Sequence, residues 1–202
     1  MTLTVQHLRA AITRLTAAME REFDALNTAD GALGDGDLGV TLTRGMRAIS
    51  ELSPGLPDDL GQALLACAQA FTKTSGSSYG TLMATGLMSM AKVVRGRTGV
   101  EASEVSALIA GARDAMQARG KADLGGKTVL DSLDAMAKAT DGLTDPQAVA
   151  KAAATSAATA QAEMKGRIAT IGRARIFGEK TIGMDDPGML AMTAIAAAIA
   201  AP

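Results

Sequence analysis

The hydrophobic core of this chain must be built almost without aromatic side chains. Hydrophobic residues make up 48% of the 202 residues, but only 2% are aromatic, and much of the apolar bulk is Ala, Leu, Ile, Val and 12 Met. Ala, Leu and Met favour helices, whereas strands favour aromatic and β-branched residues. The composition therefore predicts an all-α protein, and the length suits a single domain over residues 1–202.

Glycine, proline, serine and aspartate divide the chain into about eight predicted helices. The first helix is predicted from Thr4 to Ala25, because apolar residues recur there with a period close to 3.6. The other seven are predicted over Gly39 to Leu52, from Asp58 or Asp59 to Phe71, over Thr81 to Val94, from a Ser103 cap onwards, over Thr128 to Thr140, from Asp145-Pro146 to Met164, and after Asp186-Pro187-Gly188.

The charge balance and the cysteine count narrow the class of protein. The 20 basic residues nearly balance the 21 acidic ones, whereas a nucleic-acid-binding protein usually carries a basic excess. Cys67 is the only cysteine, so no internal disulfide can form, and a reducing compartment is expected. No leader opens the chain, and the longest apolar stretch, Met189 to Ala201, is too short to span a bilayer. We therefore expect a cytoplasmic protein that binds neither nucleic acid nor membrane.

Three carboxylates occur within eight residues, at Asp30, Asp35 and Asp37, and glycines separate them. Like charges this close repel each other, and a bound cation is the usual remedy. Carboxylate oxygens suit Mg²⁺ or Ca²⁺, but Met46 stands where an EF-hand needs its bidentate Glu. The alternative is a solvent-exposed acidic turn in which Asp37 caps the following helix.

Three further loops are rich in glycine, hydroxyl groups or charge. The segment Lys73 to Gly80 precedes a predicted helix and suits an anion, although an ordinary cap and turn would look the same. Gly126-Lys127-Thr128 resembles the end of a Walker A motif, but Lys121 stands where the motif requires its first glycine. A long fourth loop runs from Gly172 to Gly188. Together the four loops suggest a metal–polyphosphate site at one end of a helical bundle.

The four loops, taken in order, resemble the nucleotide-binding L subunit of dihydroxyacetone kinase. The matching residues are Asp30, Asp35-Gly36-Asp37 and Gly39; Ser75-Gly76-Ser77-Ser78-Tyr79-Gly80-Thr81; Gly120-Lys121 and Gly126-Lys127-Thr128; and Gly172-Arg173-Ala174, Gly178-Glu179-Lys180, Ile182-Gly183 and Asp186-Pro187-Gly188. This sequence departs from many family members at Leu38 and Met184, where histidine is usual.

The resemblance implies an eight-helix antiparallel barrel with ADP or ATP and two Mg²⁺ ions bound by loops at one end. It implies that Asp30, Asp35 and Asp37 are the metal ligands and the catalytic residues. The phosphate contacts that it implies are Leu38, Gly39, Thr41, Thr74, Ser75 and Gly76. Around the base and ribose, it implies contacts from Gly120, Thr128, Val129, Arg173, Asp186, Pro187 and Gly188.

The resemblance also implies a partner. In the family a separate K subunit or domain holds the ketose covalently, and a chain of 202 residues has no room for that domain. His7, the only histidine, lies far from the loops in the sequence, and no general base is evident. We therefore expect a kinase subunit for dihydroxyacetone or a related short ketose. The subunit would either exchange ADP for ATP, or retain ADP as a cofactor that a sugar phosphotransferase component rephosphorylates.

Two rival hypotheses belong to other classes. One is a non-catalytic helical module that binds nucleotide or lipid and regulates a partner, and the intact set of three aspartates argues against it. The other is a structural Ala-rich bundle with flexible loops. The sequence leaves open which ketose is the substrate and whether the chain forms a homodimer.

Overall fold

The computed structural model describes residues 2–74 and 76–202, and α-helices dominate them. The α-helices are α1 (Val5–Arg21), α2 (Phe23–Leu33), α3 (Leu38–Leu52), α4 (Leu60–Thr74), α5 (Ser78–Val93), α6 (Val105–Gly120), α7 (Val129–Thr140), α8 (Pro146–Met164) and α9 (Pro187–Ala200). Short 3₁₀ helices cover Ser53–Gly55, Ala102–Glu104 and Ala174–Thr181. The all-α prediction is confirmed, apart from one pair of short antiparallel strands, β1 (Thr2–Thr4) and β2 (Gly99–Glu101).

Eight of the helices form a closed ring. Going round it, α1 packs on α3, each helix from α3 to α8 packs on the next in sequence, and α9 returns to pack on α1. Arg14 fastens this closure, because its guanidinium donates from Nε to the carbonyl of Ala198 at 3.1 Å and from Nη2 to that of Ile199 at 3.3 Å. Short connections join most neighbours, so successive helices of the ring run antiparallel. The predicted eight-helix barrel is therefore confirmed.

The remaining helix, α2, lies outside the ring, and the sequence analysis did not separate it from α1. The prediction of one helix from Thr4 to Ala25 is wrong in two respects. The helix breaks at Glu22, and helical structure then resumes and continues to Leu33. Asn, Asp and Gly in this stretch favour turns over helix interiors, so local propensity predicted a loop. Packing of α2 on α3 and α9 overrides that propensity.

Most of the predicted helix starts agree with the structure, but one cap does not. Asp145 and Asp186 each accept a capping hydrogen bond, from Ala148 N at 2.8 Å and from Met189 N at 2.9 Å. Ser103, in contrast, lies inside the 3₁₀ helix Ala102–Glu104, and α6 begins after it. The N-cap of this 3₁₀ helix is Glu101, and the side chain of Glu104 accepts from Glu101 N at 2.8 Å in a capping box.

The apolar interior consists of two large clusters and a small one. The first lies mainly among α1, α3 and α4, the second mainly among α6, α7, α8 and α9, and half-buried Tyr79, Met83 and Ile195 pack against both. The small cluster, Leu33 with Ala169 and Ala174, joins α2 to the chain that follows α8. Among the described residues, no helix is both long and apolar enough to traverse a lipid bilayer.

Candidate active site

The four glycine-rich connections predicted to form a site lie at the same end of the ring. They follow α1, α4, α6 and α8, which are alternate members of an up-and-down ring. Polar contacts join the connections to one another: Arg173 pairs with Asp35, Tyr79 Oη donates to the carbonyl of Gly188 at 3.2 Å, and Thr170 N donates to that of Gly126 at 3.2 Å. These contacts bring the first, second and third connections each against the fourth.

Three carboxylates converge in the first connection. Asp30 lies in the last turn of α2, whereas Asp35 and Asp37 lie between α2 and α3. One oxygen from each of them lies within 4.8 Å of an oxygen from both others. The predicted grouping is therefore present, although Asp30 belongs to a helix rather than to the loop. Among the described residues, this is the only group of three or more acidic, His or Cys side chains close enough to share a metal ion.

The chain reaches this arrangement because Asp30 caps the helix that follows. Its Oδ2 accepts from Asp37 N at 2.9 Å and from Leu38 N at 3.3 Å. Asp37 occupies the N-cap position of α3, but its side chain makes no capping hydrogen bond, which differs from the acidic-turn interpretation. Gly36 closes the turn with a φ of +76°, a region that most side chains avoid. The Asp37 carboxylate is therefore left available to a ligand.

Asn27 is a further residue that shapes the first connection, and it was not predicted from the sequence. Its Oδ1 accepts from Gly39 N at 2.8 Å and from Val40 N at 3.3 Å, so a side chain of α2 holds the first turn of α3. Gly39 permits this approach, because a Cβ there would overlap the carbonyl oxygen of Phe23. In the sequence, this contact corresponds only to an Asn twelve residues before a glycine, and that spacing is too common to predict a contact without the fold.

The charges of the three aspartates are only partly neutralised. The Arg173 guanidinium pairs with Asp35 and holds the pKa of that carboxyl below its usual range. Partial burial and the nearby charges of Asp35 and Asp30 raise the pKa of Asp37. A divalent cation would relieve this repulsion, and carboxylate oxygens are the donors that Mg²⁺ prefers. The residues present therefore fit a magnesium site.

The start of α3 and the second connection contain the predicted phosphate contacts. Leu38 and Thr41 are 4% and 6% exposed, and Thr41 N already donates to the carbonyl of Asp37 at 2.8 Å. Thr74 ends α4 and Gly76 is exposed, but Ser75 lies outside the described residues. Ser77 caps α5 by accepting from Gly80 N at 3.0 Å. The amides of Leu38 and Gly39 are already bonded to Asp30 and Asn27.

Most of the predicted base and ribose contacts lie at helix ends of the third and fourth connections. Gly120 ends α6, and Thr128 caps α7 by accepting from Leu130 N at 3.2 Å. The side chain of Val129 is 4% exposed and packs in the second cluster, so it offers little surface to a base. Asp131, which was not predicted as a site residue, braces this turn by accepting from Gly125 N and Thr128 N.

Asp186, Pro187 and Gly188 begin α9 beside Tyr79. Burial raises the pKa of Asp186 to about 6, and its Oδ1 still accepts from Met189 N. A Cβ on Gly188 would lie 3.1 Å from both Asp186 Oδ1 and the Tyr79 ring, which explains the glycine. Burial also raises the pKa of Tyr79 above its ordinary value. This turn is therefore tightly packed before any nucleotide binds.

Comparison with known proteins decides the family. The family model described as the DAK2 domain matches residues 32–201. The chain belongs to the DAK2-domain family. Among the DAK2 relatives, it is 28% identical to the ADP-binding subunit DhaL of the PEP-dependent dihydroxyacetone kinase of Escherichia coli, over 92% of this chain and 94% of that protein. It is 32% identical to the DhaL subunit of the PTS-dependent kinase of Lactococcus lactis, over 81% of this chain and 79% of that protein.

Larger proteins contain a DAK2-like part as well. The L-erythrulose 1-kinase of Mycolicibacterium smegmatis is 33% identical over 86% of this chain, which spans 31% of that protein. The crystal structure of the C. freundii dihydroxyacetone kinase in complex with AMP-PNP and Mg²⁺ superimposes with a TM-score of 0.75 and 26% identity. That match covers 95% of this chain and 33% of the kinase. The predicted resemblance to the L subunit is therefore confirmed.

The two departures from the family pattern are apolar contacts in this DAK2 domain. Leu38 is buried in the first cluster, and half-buried Met184 packs against the small third cluster. His7 lies near the start of α1, about 20 Å of helix from the end of α1 that leads to the aspartates. Its Nδ1 accepts from Thr4 N at 3.1 Å in a capping box, so His7 has a structural role at the start of α1.

Proposed function

We propose that this chain is the nucleotide-binding component of a kinase for dihydroxyacetone or a related short ketose. It would transfer the γ-phosphoryl group of a Mg-bound adenine nucleotide to a ketose hydroxyl. The observation that carries this proposal is the convergence of three carboxylates at the start of α3, at the end of the ring where four connections meet. Membership of the DAK2-domain family supports the same activity.

Each group at this end has a chemical role in the proposal. Asp30, Asp35 and Asp37 would hold two Mg²⁺ ions, which when bound supply charge neutralisation for the transferring phosphoryl group. Leu38, Gly39 and Thr41 would lie near the phosphates at a helix N-terminus, whose dipole favours anions even though their amides donate within the protein. Thr74, Ser75 and Gly76 would complete the phosphate contacts from the second connection. Arg173 would leave Asp35 and donate to a phosphate.

The base and ribose would lie against the third and fourth connections. Gly120, Thr128 and the edge of Val129 would contact them from one side, and the turn of Asp186, Pro187 and Gly188 from the other. These positions lie at helix ends, where small residues allow a flat ring to approach closely. The tight packing of Gly188 against Tyr79 supports a site that is largely preformed.

The proposal requires a partner that holds the ketose. The only histidine, His7, lies at the start of α1, and in this proposal the three carboxylates would bind metal and would not be available as a general base. A K subunit or domain would therefore present the substrate to the γ-phosphoryl group. The names of the E. coli and L. lactis relatives favour a retained ADP that a phosphotransferase component rephosphorylates. A cytoplasmic location and a homodimer remain predictions.

The nucleotide content of freshly purified protein separates the two modes of phosphoryl supply. Protein purified without added nucleotide is denatured, its supernatant is chromatographed, and magnesium is assayed in parallel. Near-stoichiometric ADP that survives long dialysis indicates a retained cofactor. Empty protein that Mg·ATP stabilises strongly indicates an exchanging kinase. Protein that neither carries nor responds to nucleotide contradicts the proposal and favours a structural bundle.

A pair of variants tests the metal assignment. Asp35→Asn removes a charge from the three aspartates and should abolish Mg-dependent nucleotide binding, measured by calorimetry. Asp58→Asn is the matched control, because Asp58 is exposed at the opposite end of the ring. Turnover with a supplied K subunit then separates a kinase from a regulatory module: binding without turnover favours the latter.

A further inference from the structure

Lys127 is a buried cation to which neither the family resemblance nor the proposed phosphoryl transfer assigns a role. It lies between α6 and α7 and is 1% exposed. Within residues 2–74 and 76–202 it forms no ion pair, and burial lowers the pKa of its ammonium group although the charges of Asp186 and Asp185 oppose that shift. Burying an ammonium group is costly unless hydrogen bonds satisfy it. Lysine must therefore make contacts here that an apolar residue could not make.

Three main-chain carbonyls satisfy the ammonium group. Lys127 Nζ donates to Thr181 O at 2.7 Å, to Arg167 O at 3.0 Å and to Lys165 O at 3.2 Å. An ammonium has three donors, so all of them are used. The three acceptors lie at the two ends of the 165–181 segment, which follows α8. One side chain therefore closes this segment into a loop.

Arg173 lies near the middle of that loop. Its guanidinium pairs with Asp35, although 60% of the Arg173 side chain is exposed. We propose that Lys127 is a positioning residue, whose ammonium fastens both ends of the 165–181 segment to the start of α7 and thereby holds Arg173 at the three aspartates. The third connection would in this way set the geometry of the first connection, which contains the three aspartates at the same end of the ring.

Neighbouring contacts agree with this role. Thr170 N donates to Gly126 O, the residue before Lys127, and Ala169 N donates to Thr181 Oγ1 at 2.9 Å. A Cβ on Gly126 would lie 2.7 Å from Ile171 Cγ1, so the segment packs directly against this turn. Lys127 itself has a φ of +61°, which a non-glycine residue adopts only when its surroundings demand it. The side chain and the main chain at this position are both held against the segment.

Amide hydrogen exchange of the nucleotide-free protein tests the fastening. Lys127→Met should speed exchange in residues 166–183 by about ten-fold or more, while exchange in α3 and α4 stays unchanged. Lys138→Met is the matched control, because Lys138 is an exposed lysine on α7, the helix that Lys127 precedes. Lys127→Gln, which adds no large apolar group, gives a second measurement if the Met variant does not fold. Unchanged exchange in a folded variant overturns the inference.

A double-mutant cycle on Mg·ADP affinity tests the action through Arg173, and this second measurement rests on the proposed function. Lys127→Met and Arg173→Ala should each weaken binding, and the double variant should bind as Arg173→Ala does. Additive effects would show that Lys127 acts elsewhere and would overturn the positioning role. If wild-type protein fails to bind Mg·ADP, the proposed function is wrong, and the exchange measurement still decides the fastening by itself.

Discussion

Arg173, from the connection after α8, forms an ion pair with Asp35, from the connection before α3. The pair joins the two ends of the candidate site, and it engages one of the three carboxylates proposed to bind metal. A cation entering the site must compete with the guanidinium for Asp35. In the proposed nucleotide complex the same guanidinium would donate to a phosphate, so it would have a different partner in each state.

Replacing Arg173 should therefore change two affinities in opposite directions. Arg173→Met should bind Mg²⁺ alone about two- to five-fold more tightly, because an exposed ion pair is worth up to about 1 kcal/mol. The same variant should bind Mg·ADP more weakly, because a phosphate loses its cation. Calorimetric titrations with each ligand measure both effects. Losses of equal size in the two titrations would argue against the competition for Asp35.

Asn27 should contribute measurably to stability. Asn27→Ala leaves the amides of Gly39 and Val40 without their acceptor and should lower the free energy of unfolding by about 1 to 2 kcal/mol. Asn27→Asp keeps the acceptor, so its folding should be affected less, while its added charge should raise the pKa of Asp37 further. Urea denaturation measures the stability of both variants. An Ala variant as stable as wild type would show that water replaces Asn27.

Asp186 should make the stability of the fold depend on pH. Its folded pKa of about 6 lies above its ordinary value of 3.8. The stabilisation from this group is therefore complete below pH 4 and is lost as pH rises through 6. Relative to Asp186→Asn, which can still cap α9, the wild-type free energy of unfolding should fall by roughly 2 to 3 kcal/mol over that interval. Denaturation of both proteins between pH 4 and 7.5 measures the difference, and a constant difference contradicts it.

Gly39 should tolerate no side chain. Gly39→Ala places a Cβ against the carbonyl oxygen of Phe23, so α2 must move away from α3. We expect a loss of about 1 to 3 kcal/mol in the free energy of unfolding, together with weaker Mg·ADP binding. Gly55→Ala is the control, because a Cβ there meets no atom within 4 Å. Equal stability of the two variants would mean that the α2–α3 contact adjusts easily.

The ring of helices was predictable because its signals are local. Ala, Leu and Met at helical spacing, with caps such as Asp145 before Pro146, identify most of the elements without tertiary information. Helix α2 was missed because Asn, Asp and Gly favour turns locally, whereas packing on α3 and α9 stabilises the helix. The Ser103 cap was wrong because helical structure already begins at Ala102, where Glu101 and Glu104 form a capping box.

Prediction of the site was limited by contacts between distant segments. The three aspartates could be found because they are close in sequence and repel one another unless a cation is present. Lys127, in contrast, was predicted only to lie in a loop, and its burial depends on three carbonyls that lie 38 to 54 residues further along the chain. Asn27 depends in the same way on the placement of α2. Neither contact can be predicted from the composition of the surrounding sequence.

Because α1 and α9 close the ring, the two ends of the chain lie next to each other. The first helix begins, and the last helix ends, at the face opposite the four connections. Polypeptide attached at either terminus would therefore leave the candidate site unobstructed. This geometry explains how one fold can serve both as the whole of a subunit and as a third of a larger kinase. Joining the adjacent termini through a short linker, with new termini opened elsewhere, should likewise preserve the site.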